Sequence, residues 1–238
     1  MKLGFSNRRT NALTLIEVLV VVVVIAVLVA VAFYKVSSAR RDARTFACVS
    51  NMKTIGIAFR IWRETPAYQM QVSTRNGGVK ELVVTGNVAA VFQVMSNELG
   101  TPILLICPAD ASRHWATNFT TDFGNNSISY FVGLDASEDD PYSILTGDDN
   151  IEIGGVPVKS GVLLLSTNTP TGWTGERHRF IGNIAFADGS VQTVTISGLT
   201  NAIIKQYDSE FLKPSQFTNV APNESIFSKT NRFRIAIP

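Results

Sequence analysis

The distribution of apolar and polar positions divides the chain early. From Leu13 to Phe33 only Thr14 and Glu17 are polar, and from Val18 to Phe33 the apolar run is unbroken for 16 residues. At about 1.5 Å of rise per residue, the 21 positions from Leu13 make a helix of roughly 32 Å, enough to cross the hydrocarbon of a bilayer. Valine is a mediocre helix former in water, but in lipid a segment must satisfy its own backbone hydrogen bonds, so the run still predicts a helix. Beyond Phe33 the pattern becomes one-sided. Cys48, Met52, Ile55, Phe59 and Trp62 step by four, three, four and three, the spacing of one apolar seam on an amphipathic helix. Thr65-Pro66 should stop it, because a residue before proline avoids helical angles. The prediction is one helix from about Leu13 to Glu64, roughly 75 Å long by the same rise.

The period changes from about Val79. "KELVVTGNVAAVFQVMSNELG" reads as a strand or turn followed by a helical stretch ending near Gly100, and "PILLICPAD" as a short buried strand closed by a turn. "SISYFVGL" and "GVLLLSTN" are β-rich runs bounded by turn residues. In "GNIAFADGSVQTVT" two β-prone stretches flank Asp188-Gly189, a dipeptide favoured in two-residue hairpin turns. "KTNRFRIAIP" reads as an edge strand or a tail. The expected fold class is α+β, with an antiparallel sheet packed on the outer half of a long N-terminal helix.

Composition changes this picture little. A chain of 238 residues suits one domain with an appendage, and the net charge of +2 comes without a basic stripe for nucleic acid. The densest basic group, Arg40, Arg41 and Arg44, flanks the apolar run and suits a membrane edge. Because Lys2, Arg8 and Arg9 precede the run, counting positive charges does not fix its orientation. Cys48 and Cys107 form no C-x-x-C; in a reducing compartment they read as buried thiols, and outside the cytoplasm they could form one bridge.

Glu17 needs its own explanation. A secretory signal would supply a basic start, an apolar stretch and an A-x-A match at Ala30 and Ala32, with release at Phe33. It gives the carboxylate no purpose. "NALTLIEVLVVVVVI" instead resembles the N-terminus of type IV pilins and type II secretion pseudopilins. That resemblance implies cleavage between Ala12 and Leu13 by a prepilin peptidase, then N-methylation of Leu13. The usual residues there are Gly before the cut and Phe or Met after it. The resemblance also implies that Glu17 faces the freed amine of a neighbouring subunit and sets the register of assembly. Opposite charges attract strongly in a low-dielectric bundle, whereas a lone charge there is costly. The alternative is a carboxylate solvated at the headgroup level.

Other pieces narrow the resemblance. "HRFIGNIAFADGS" places His178, nine residues, then Asp188-Gly189, and so resembles a bacterial prepilin-associated domain named for that spacing. "CVSNMKTIGIAF", "CPAD" and "DPYSILTGDDN" are similar to other segments of that family. The implied organisation is a basic leader (1–12), a transmembrane and assembly helix (13–34), its amphipathic continuation (35–65) and an extracytoplasmic α+β domain (66–238). The implied partners are prepilin peptidase, other pilin-like subunits and an inner-membrane assembly platform.

The sequence offers weaker signals for chemistry. His178 and Asp188 would suit an acid–base or metal pair, but Asp-Gly is explained by turn geometry, with His178 bonding across the sheet. His114 is the one other histidine, and H-E-x-x-H, G-x-S-x-G, G-x-G-x-x-G and P-loop patterns are absent, so neither an enzyme nor a metal site is expected. Seven acids lie between Asp135 and Glu152. Asp148, Asn150 and Glu152 alternate as at the start of a calcium loop, but the glycine comes late, at Gly154, and Lys159 stands where a final Glu belongs. A solvated acidic loop is the simpler reading. Two functions compete: a filament subunit of a secretion or pilus machine, and an exported binding module or hydrolase using His178 and Asp188.

Overall fold

The computed structural model describes residues 14–63, 79, 81–82, 85–136, 140–211 and 233–238. It divides into two compact units, Met1–Ala43 and Arg44–Pro238. Helix α1 (Leu15–Arg63) has 49 residues.

In the first unit, the helix side chains from Leu15 to Val36 are largely exposed, including every valine of the apolar run. A helix that is hydrophobic all round needs lipid or other helices around it. The segment is long and apolar enough to cross a membrane.

The second unit starts within α1. Its seam behaves as the spacing predicts: Cys48, Met52, Ile55, Phe59 and Trp62 are all buried. After the helix come α2 (Val88–Val94) and α3 (Ser96–Leu99), which are capped by Asn87 and ended by Gly100 at φ +71°. The expected strand at "PILLICPAD" is instead a 3₁₀ turn, Pro102–Leu105. Pro102 pre-sets the helical φ at the first position, and the Thr101 hydroxyl accepts the Ile103 N–H at 3.4 Å.

Among the described residues nine strands follow: β1 (Tyr130–Gly133), β2 (Ile144–Asp148), β3 (Ile151–Ile153), β4 (Val156–Pro157), β5 (Gly161–Leu165), β6 (Thr171–Trp173), β7 (Ile181–Phe186), β8 (Val191–Thr195) and β9 (Phe233–Ile237). Six form the main sheet in the order β5-β9-β1-β2-β7-β8, and three form a smaller sheet, β4-β3-β6. Every described pairing is antiparallel. Helix α4 (Ile196–Phe211) separates β8 from the last strand.

The central strands of the main sheet, β9, β1, β2 and β7, feed two cores because side chains alternate along them. Tyr130, Val132, Leu145, Ala185 and Ala236 share a core with the α1 seam, α2 and Leu105. Phe131, Ile144, Ile184, Ile235 and Ile237 share the other with Leu199, Ala202, Ile203 and Tyr207 of α4 and with Trp173 of the small sheet. The fold is α+β and pilin-like, as expected.

Two expectations about the β region need correction. The segment 233–237 is not an edge strand or a tail, since β9 lies between β5 and β1. Phe233, Ile235, Ala236 and Ile237 are buried, which no edge position would require. The hairpin at Asp188-Gly189 does form, but with a three-residue loop, not a two-residue turn. Phe186 and Ser190 close it through a 2.9 Å bond, and Gly189 takes φ +85°, the left-handed residue of a bulged loop.

Candidate functional site

Four ionisable side chains meet in the middle of the second unit, each from a different element. Cys48 lies on the buried seam of α1, and Cys107 follows the 3₁₀ turn. Asp148 ends β2, and His178 sits in the loop between β6 and β7. One donor atom from each lies within 4.8 Å of the others. Cys48 Sγ is 3.3 Å from Asp148 Oδ1, and Cys107 Sγ is 3.2 Å from His178 Nε2. His178 Nε2 is 3.7 Å from Asp148 Oδ2. All four residues are buried, Asp148 completely.

A surrounding layer orients them. The Asn183 backbone N–H and side-chain amide donate to Asp148 Oδ2 at 2.7 and 2.9 Å. Thr193 holds Asn183 in turn, donating to its Oδ1 at 2.7 Å. Thr45 Oγ1 is 3.4 Å from His178 Nδ1, and Tyr130 OH is 3.4 Å from Cys48 Sγ. His178 is turned inward by a sharp reversal: Arg179 and Phe180, neither a glycine, both have positive φ, 56° and 62°. Each such residue costs of order 1–3 kcal/mol, so the surrounding contacts must impose the turn.

Beside the four lies a network of full charges. Arg177 and Arg113 both donate to Asp149, and Arg177 also reaches Asp110 at 3.2 Å. Ser129 ties the network to β1, its hydroxyl donating to Asp110 at 2.9 Å and its carbonyl accepting from Arg177 at 2.9 Å.

The electrostatics follow from burial and crowding. A hydrogen bond from Cys48 draws the Cys107 thiol down to about 5, against the effect of burial and with help from His178. The same bond, burial and the charge of Asp148 push the Cys48 thiol up. Burial, with the nearby Cys107, pushes Asp148 up to about 6. Burial opposes a charge on His178, but Cys107 and Asp148 outweigh it and raise its affinity for a proton.

The structure redistributes the residues singled out in the sequence. Cys48 and Cys107 come together as free thiols. His178 does not bond across the sheet but joins the cluster, while Asp188 takes the turn role, accepting the Ser190 N–H at 2.7 Å. His178 and Asp188 share no contact among the described residues. The acidic segment is not simply a solvated loop: Asp140, Asp148 and Asp149 are buried at 3%, 0% and 5% exposure, Asp135 and Glu152 are half-buried, and Glu138 and Asp139 lie outside the described residues. Asp148, Asn150 and Glu152 turn to three different places, respectively the cluster, the Thr174 carbonyl and Gly172. A cleft of about 430 Å³ lies next to Arg113, Asp149, Asn150 and Arg177, and none of the four clustered residues lines it. The sequence marks Asp148 only by its alternation with Asn150 and Glu152, and nothing local pairs it with the cysteines.

At the N-terminus, Ala12 and Leu13 lie outside the described residues. Glu17 is described, and it closes a capping box with Thr14. The Thr14 N–H and hydroxyl both donate to Glu17 Oε2 at 2.8 Å, and Glu17 N–H returns to the Thr14 hydroxyl at 3.4 Å. The T-x-x-E pattern therefore starts the helix, beyond anything it does between subunits.

Residues 7–33 match the family model of the prokaryotic N-terminal methylation motif. The match does not extend to His178 and Asp188-Gly189. No curated protein and no solved structure matches the chain. The motif marks a type IV pilin-like or pseudopilin precursor, and it implies processing by prepilin peptidase and assembly with other pilin-like subunits.

Proposed function

We propose that this precursor is a pseudopilin-like structural subunit of a type II secretion or type IV pilus-like filament. It is cut after Ala12, anchored in the inner membrane by the segment from Leu13, and assembled through its N-terminal helix with the C-terminal domain outside the cytoplasm. The observation that carries this reading is the methylation motif lying directly over an apolar helix whose side chains stand exposed among the described residues. Farther along α1, Phe46, Ile57 and Ile61 are also exposed opposite the buried seam, an apolar surface suited to neighbouring helices.

The capping box refines the role of Glu17. Its bonds to Thr14 use Oε2 alone, so one carboxylate oxygen is not engaged in the cap. The charge is held within the helix start before any neighbour arrives. The other oxygen can then meet the amine at Leu13 of the next subunit.

Intact and N-terminal mass measurement of the protein from its native membrane tests the proposal. The expected chain begins at N-methylated Leu13. A chain beginning at Phe33 would mean release by signal peptidase and would end the filament reading. Glu17→Ala is expected to be exported and cut normally, yet to lose sedimentable assemblies by tenfold or more. Thr14→Ala, which weakens the cap but keeps the charge, is expected to retain them. Equal loss in both variants would make Glu17 a capping residue only.

A further inference from the structure

We propose that Cys48, Cys107, Asp148 and His178 form a closed, four-ligand site for a structural zinc ion. The reading does not depend on the filament role. It starts from a convergence in the core: four ionisable groups from four elements meet beside the aliphatic and aromatic side chains of the α1 seam. Buried groups of this kind are costly unless each has a partner. Asn183, Tyr130 and Thr45 serve the outer side of the cluster, and the atoms facing its centre are electron-pair donors. A carboxylate, an imidazole nitrogen and two sulfurs facing one centre make a donor set for a cation.

The geometry suits zinc. Metal bonds of about 2.3 Å to sulfur and about 2.0–2.2 Å to nitrogen or oxygen, set at tetrahedral angles, separate neighbouring ligand atoms by roughly 3.5 Å. Cys107 Sγ stands 3.2 Å from His178 Nε2 and Cys48 Sγ 3.3 Å from Asp148 Oδ1, and one ligand atom from each of the four residues lies within 4.8 Å of all the others. Two sulfurs and an imidazole exclude calcium and magnesium, which take oxygen. Asp148 would ligate through Oδ1, since Asn183 holds Oδ2 twice. His178 would ligate through Nε2, with Nδ1–H turned toward the Thr45 hydroxyl. Such outer hydrogen bonds are how proteins aim metal ligands.

Binding takes the two thiols as thiolates and releases their protons. Two thiolates and one carboxylate around a dication leave one negative charge, and Arg177 lies near enough for Asp148 to feel it. With four protein ligands and full burial there is no open position for substrate, so the ion's work is structural: it fastens α1 to β2 and to the β6–β7 loop.

The test uses the full chain, extracted in detergent from its native membrane without chelator or reductant. Elemental analysis is expected to find about one zinc per chain. After removal of zinc with a chelator, adding Co²⁺ should give the intense visible bands of a tetrahedral centre with thiolate charge transfer in the near ultraviolet. Those bands need no variant and so do not depend on a mutant folding. Cys107→Ser and Asp148→Asn, purified the same way, should lower zinc affinity tenfold or more, and adding zinc should raise the Tm of the wild type more than theirs. A Cys48–Cys107 disulfide in the native-extracted protein would overturn the proposal. So would free thiols with no zinc and no cobalt spectrum.

Discussion

Replacing Gly133 with alanine is expected to unfold the Arg44–Pro238 unit or leave it barely folded. Gly133 lies in β1, between β9 and β2. A Cβ there would sit 2.0 Å from the Ile144 carbonyl oxygen and 3.2 Å from the Phe233 ring. The ring could rotate, but the carbonyl is backbone in a neighbouring strand, so the sheet itself would have to open. Overpacking of side chains typically costs 1–3 kcal/mol, and a clash with backbone belongs at or above about 3 kcal/mol. Gly56→Ala provides the opposite sign. It lies inside α1, and a Cβ there would meet nothing within 4 Å. That change is expected to add about 0.5–1 kcal/mol by removing a helix-interior glycine. Urea titration of the detergent-solubilised chain, followed by tryptophan fluorescence, should show the midpoint falling for one variant and rising for the other. A Gly133→Ala protein with an unchanged midpoint would mean that β1 does not lie where it is described.

The second large effect is expected at Asp149. Its carboxylate receives two guanidinium groups, Arg113 and Arg177, whose side chains are only 18% and 9% exposed. Asp149→Ala leaves two buried cations to share Asp110. Breaking a buried pair from one side costs about 3–5 kcal/mol, because the stranded charge remains desolvated. With Asp110 still within 3.2 Å of Arg177, the lower end of that range is expected. Asp149→Asn should cost nearly as much, since it keeps the shape and removes the charge. The loss should persist in high salt, because buried pairs are poorly screened. Arg234→Ala is the contrast. Its pair with Asp135 is partly exposed, at 48% and 23%, and losing it should cost no more than about 1 kcal/mol. If the Asp149 effect fades with added salt, the network is wetter than its burial implies.

The parts of the fold that could be read in advance are those where one physical rule acts alone. The apolar run and the four-three seam set α1 within two residues at its start and carry it through to Arg63, the last residue described there. The Asp-Gly hairpin was legible for the same reason, although the dipeptide does not separate a two-residue turn from a three-residue loop with a left-handed glycine. Helix α4 was missed, yet Leu199, Ala202, Ile203, Gln206 and Tyr207 are all buried at helical spacing, so its signal was present. At 102–105 a proline and a threonine cap prevailed over an apolar run that resembles a strand. The four-residue cluster was not legible. Its members are 59, 41 and 30 residues apart, and only the closing of α1 on the sheet makes them neighbours. The buried acids were misjudged because charge density predicts solvent, and only a structure shows the arginines waiting inside.

The place of β9 fixes an order of events during folding. Gly133 pairs with Ile235, about a hundred residues later in the chain, and β5 touches the main sheet only through β9. Until residues 233–237 emerge, β1 presents an open lane and β5 has nowhere to dock. Closing so distant a pairing is slow, and an open strand edge invites any other strand to fill it. A chain stopped before Phe233 therefore carries a gap in the middle of its sheet, not a frayed margin. It would be sticky and recognisably unfinished, however well its first sixty residues had formed their helix.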